Sequence, residues 1–117
     1  MKQTPIYLER LLCGHGTSPE EQREVFAFLM LGLLDSLENG VVSAADAVAI
    51  CFHAENCRFA GSALKCADAE EVMGRGSQLA DLFEALPVEE ANREYAMEVA
   101  AMKNLCLAIL GRERLVA

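Results

Sequence analysis

Residues 18–40 hold the feature that most restricts what this chain folds into. Ser18-Pro19-Glu20-Glu21 joins a serine cap, a proline at the first helical position and a glutamate placed to return the cap. The helix it opens runs to about Glu38. Its middle, Val25, Phe26, Phe28, Leu29, Met30, Leu31, Leu33 and Leu34, is apolar on every side. A helix without a polar face has to be surrounded. Its uncharged apolar stretch, Val25 to Leu34, is only ten residues, whereas crossing a bilayer takes roughly 18 or more. The rest of the chain must supply the cover, and the expectation is an all-α, single-domain bundle over residues 1–117, with about five or six helices around this central one.

Local signals place the covering helices. Thr4-Pro5 followed by Ile6, Leu8, Leu11 and Leu12 predicts a short first helix over 5–13, stopped by Gly14. Asn39-Gly40 reads as a left-handed C-cap for the apolar helix, and Ser43 with Asp46 caps a third helix over 44–54. Between Glu55 and Gly76 the pattern weakens: Gly61, Gly74 and Gly76 interrupt it, and only 67–73 reads as helix. Ser77 opens the next helix, with Leu79, Leu82, Phe83 and Leu86 on one face, and Pro87 separates it from the last helix, over 88–110. The seam of that last helix is Tyr95, Val99, Met102, Cys106 and Ile109, the spacing of a helix packed along its length.

Charge and cysteine content narrow the function classes. With 18 Asp+Glu against 10 Lys+Arg, the net charge of −8 repels phosphate backbones and anionic membrane surfaces, so neither nucleic acid nor membrane is an expected partner. A basic protein partner is compatible with it. The N-terminus has no secretory pattern, and five cysteines without a compact framework fit buried thiols in a reducing cytoplasm.

Three constellations were candidates for chemistry. Cys51, His53, Cys57 and Cys66 have the residue types of a zinc site but none of its paired spacings; on a continuous helix Cys51 and His53 point nearly opposite ways. Cys13-Gly14-His15 places a thiol near an imidazole without any surrounding nucleophile signature. Asp35 to Asp46 overlays a calcium loop in part, but Leu37 occupies a position that should supply oxygen, and two helix caps explain the same residues. No catalytic residue, cofactor or metal is therefore assigned from the sequence.

The stretches Leu33-Leu34-Asp35-Ser36-Leu37-Glu38-Asn39-Gly40-Val41-Val42-Ser43 and Gly76-Ser77-Gln78-Leu79-Ala80-Asp81-Leu82-Phe83-Glu84-Ala85-Leu86-Pro87 resemble a family of short bacterial all-helical proteins of unknown function. The resemblance implies a helical fold and carries no activity. The residues themselves suggest a non-catalytic interaction or regulatory module that self-associates as a homodimer. A second stripe on the last helix, Ala96, Ala100, Leu107 and Leu110, is the expected interface. The alternative is a small Cys/His-dependent enzyme or metal sensor using residues 51–66.

Overall fold

The computed structural model describes residues 4–14 and 17–115. Among them are seven helices and no strand: α1 (Leu8–Leu12), α2 (Pro19–Glu38), α3 (Ala44–Ile50), α4 (Ala54–Ser62), α5 (Ala67–Gln78), α6 (Asp81–Ala85) and α7 (Val88–Leu115). No described helix is long and apolar enough to cross a membrane.

The caps of α2 are those its residues dictate. Ser18 Oγ accepts from the Glu21 amide at 3.2 Å, while the Ser18 amide donates to Glu21 Oε1 at 3.4 Å. At the other end Gly40 adopts φ 73°; its amide donates to Leu37 O and that of Val41 to Ser36 O, the paired bonds of a Schellman closure. Ser43 then caps α3 by accepting from the Asp46 amide at 3.1 Å.

Packing is organised by the two long helices. α7, at 28 residues, extends for about 42 Å at 1.5 Å per residue, close to the longest molecular extent of 45 Å. It lies along α2, with α5 and α6 also against it. Phe26, Ala27, Met30, Leu34 and Leu37 of α2 meet Val99, Met102, Cys106 and Ile109 of α7 in one buried core. Tyr95, at the start of that seam, is partly buried. Arg23 closes the far end, paired with Glu113 and donating to Leu64 O at 3.2 Å. α1, α3 and α5 add to the cover of α2, yet Val25 and Phe28 stay about half exposed, because the five residues of α1 and seven of α3 are too short to complete it.

Several expected boundaries are corrected. Residues 4–7 are not helical, despite Thr4-Pro5: the Ile6 amide donates to Ile50 O at 2.9 Å, and that long-range bond holds the segment off the helical path. α3 ends at Ile50, not 54, and a new helix starts after His53. The region expected to be weak, 55–76, is mostly helical, since α4 and α5 fill it and Gly74 and Gly76 lie inside α5. Ser77 also lies inside α5, its hydroxyl donating to Gly74 O at 2.7 Å instead of capping a new start. α7 continues through Gly111 to Leu115.

Candidate functional site

The outward face of α7 follows from its inward seam. Because Val99, Met102, Cys106 and Ile109 turn into the core, the residues on the far side of the helix, Met97, Ala100, Asn104 and Leu107, turn out. Their intervals of three, four and three keep them on one line for about three turns. Met97 is 65% and Leu107 55% exposed; Ala96, Ala100 and Ala108 are exposed beside them. From Val99 to Gly111 the single charged residue is Lys103, and its ammonium is turned onto α2, 2.6 Å from Glu38 and 3.9 Å from Asp35. In a chain of net charge −8, this is an uncharged, small-residue surface. Three of the four expected interface residues, Ala96, Ala100 and Leu107, lie on it. Leu110 does not: it is 9% exposed and belongs to the core, because one residue after Ile109 and four after Cys106 it stands beside the inward seam.

The Cys/His segment is drawn into structure. His53 is the N-cap of α4: its Nδ1 accepts from the Asn56 amide at 3.5 Å, and Nε2 lies 2.9 Å from Ile6 O, which it meets as a donor when Nδ1 accepts. A metal would take a ring nitrogen already in use. Burial pushes the Cys51 thiol up to about 12, helped by nearby Cys57, and burial also pushes Cys57 up. Cys57 Sγ is 3.7 Å from Phe52 O and 3.8 Å from Met73 O. Cys66 stands at the start of α5, with Arg112 Nη2 at 3.8 Å, and Arg112 is committed to Asp68 at 2.8 Å. Among the described residues, no three His, Cys, Asp or Glu side chains are grouped to hold a metal ion. Cys13 is exposed, and its proposed partner His15 lies outside the described residues. Asp35 and Asp46, the ends of the calcium-like segment, are separated by the Schellman turn and the α3 cap.

Two features had no sequence signal. Asn56, 1% exposed, accepts from the Leu8 amide at 2.9 Å and donates to Ile6 O at 3.0 Å and Cys51 O at 2.8 Å, pinning the N-terminal segment to the α3–α4 corner. A cleft of about 610 Å³ lies where the α2–α3 turn meets α6 and α7; Leu37, Val42, Ala44, Phe83, Glu84 and Tyr95 are among its lining. The Phe83 and Tyr95 rings there are 5.4 Å apart and inclined at 58°, and Tyr95 donates its hydroxyl proton to Leu37 O at 3.4 Å. The sequence places Phe83 on one helical face with Leu79, Leu82 and Leu86, but α6 is only five residues long and leaves Phe83 45% exposed.

No family model, curated protein or solved structure matches this chain.

Proposed function

We propose that this chain is a non-catalytic interaction module that self-associates through the outer face of α7. The observation that supports this reading is the line Met97, Ala100, Asn104 and Leu107, exposed, without carboxylates and flanked by alanines. A net charge of −8 sets two copies repelling one another, so the face on which they meet has to be the uncharged one. Alanines at 96, 100 and 108 allow a second helix to approach closely, and Met97 and Leu107 supply the apolar area. Two-fold pairing closes such a contact without leaving a free end. A single helix pair buries less than the roughly 1,200 Å² of standard interfaces, so the expected association is concentration-dependent, with Kd on the order of micromolar.

Sedimentation or light scattering over a concentration series tests this. A homodimer should appear toward high micromolar concentration and revert to 12.7 kDa on dilution. Ala100→Glu should hold the chain at monomer mass with its circular-dichroism spectrum unchanged, since residue 100 is exposed and its replacement touches no core. A chain of monomer mass at every concentration rejects the reading. A dimer that survives Ala100→Glu but dissociates with Phe28→Glu moves the contact to α2.

A further inference from the structure

We propose that the cleft between the α2–α3 turn and the α6–α7 corner binds a lysine side chain of a basic polypeptide, its ammonium held against the Phe83–Tyr95 ring pair and Glu84. The site combines the two things an alkylammonium group needs. Leu37, Val42 and Ala44 give apolar wall for the four-carbon stem. The inclined pair of rings, one of them half exposed, offers π surface of the kind that attracts cations.

The local field has the matching sign. α3 begins at this cleft with partial positive charge at Ser43 and Ala44, which opposes the partial negative charge at the end of the 20-residue α2, so side-chain charge sets the sign. No basic residue lies in the last turn of α2. Among the described residues that line the cleft, Glu84 is the one acidic side chain and none is Lys or Arg. Lys103, which reaches the end of α2 from α7, is engaged by Glu38 and Asp35 and does not enter the lining. The net charge of −8 draws a basic partner toward the molecule, and the cleft gives that attraction a place to become specific. Val41, 76% exposed at the adjoining turn, extends apolar surface beyond the cleft for the neighbouring residues of a polypeptide, which a free alkylamine would not use. The inference is independent of self-association through α7.

The chain has two tyrosines and no tryptophan, so a Tyr7→Phe protein reports from Tyr95 alone. Titration with a hexalysine amide should change Tyr95 emission saturably. Glu84→Gln and Phe83→Leu in that background should each weaken binding by about fivefold, in the range of one lost cation–π or charge contact. The same peptide with every lysine Nε-acetylated should not bind, because acetylation removes the charge while keeping the stem. Adding Ala100→Glu should not weaken hexalysine binding. Parent affinity in Phe83→Leu, or the same weakening by Glu84→Gln as by Glu9→Gln, which removes one charge outside the cleft's lining, would reduce the effect to net charge and overturn the site. Equal binding of the acetylated peptide, or no saturable response, would overturn it too. Glu84 is exposed, so Glu84→Gln set against Glu9→Gln remains decisive even if Phe83→Leu does not fold.

Discussion

Asn56 makes three hydrogen bonds to backbone groups of Ile6, Leu8 and Cys51 while almost fully buried, and no local pattern announces it. Asn is ordinarily a surface or turn residue, and its partners here lie up to 50 positions away in sequence. Asn56→Ala should destabilise the fold by about 2–4 kcal/mol in urea unfolding, because the Leu8 amide and a carbonyl lose their partners in a dry setting. A cost below about 1 kcal/mol would show that water replaces the side chain. The thiols separate by the same physics. Burial holds Cys51 and Cys106 up to about 12, so near neutral pH they stay protonated and unreactive, whereas Cys13 is exposed. Iodoacetamide at pH 8 should label Cys13 in the native protein and reach Cys51 and Cys106 only after denaturation, as read by peptide mass spectrometry; equal labelling of all three would contradict their burial.

Helix α5 shows how neighbours decide what a residue means. Gly74 and Gly76 both read as helix breakers, and both are helical. A Cβ at Gly76 would lie 2.4 Å from Phe52 Cδ1, so α5 approaches the α3–α4 corner only because that side chain is absent. Phe52 is 1% exposed and has no room to retreat. Gly76→Ala should therefore destabilise by about 1–3 kcal/mol through overpacking, exceeding the roughly 1 kcal/mol that alanine gains in a helix. Gly74→Ala meets nothing within 4 Å and should stabilise by about 0.5–1 kcal/mol. Thermal unfolding of the two single variants gives opposite signs if the packing is as described; the same sign in both removes the account. The N-terminal segment tells the converse story, with a good local helix start at Thr4-Pro5 overridden by the bond from Ile6 to Ile50.

The whole molecule should lose stability in alkali. Cys51, Cys106 and Tyr95 all have their ionisation pushed up by burial, so between the ordinary thiol value and about 12 the folded chain keeps protons that the unfolded chain releases. The unfolded state then binds fewer protons, and stability falls as pH rises through that window while remaining full below it. The urea midpoint, measured under reducing conditions, should be flat from pH 7 to 8 and decline by pH 10.5. A midpoint that does not move would mean those groups are as ionisable in the fold as outside it. At this scale the sequence and the structure divide cleanly. The all-α bundle, the capped ends of α2, the separation at Pro87 and the inward seam of α7 were legible in the sequence, because caps and periodicity act between residues three or four apart. The paths of residues 4–7, 51–66 and 74–78, the burial of Leu110 and the meeting of Phe83, Glu84 and Tyr95 beside the end of α2 were decided by tertiary structure alone. Those outcomes rest on contacts between residues far apart in the chain, where a hydrogen bond or a missing Cβ outweighs local preference, and local preference is all that spacing along a sequence records.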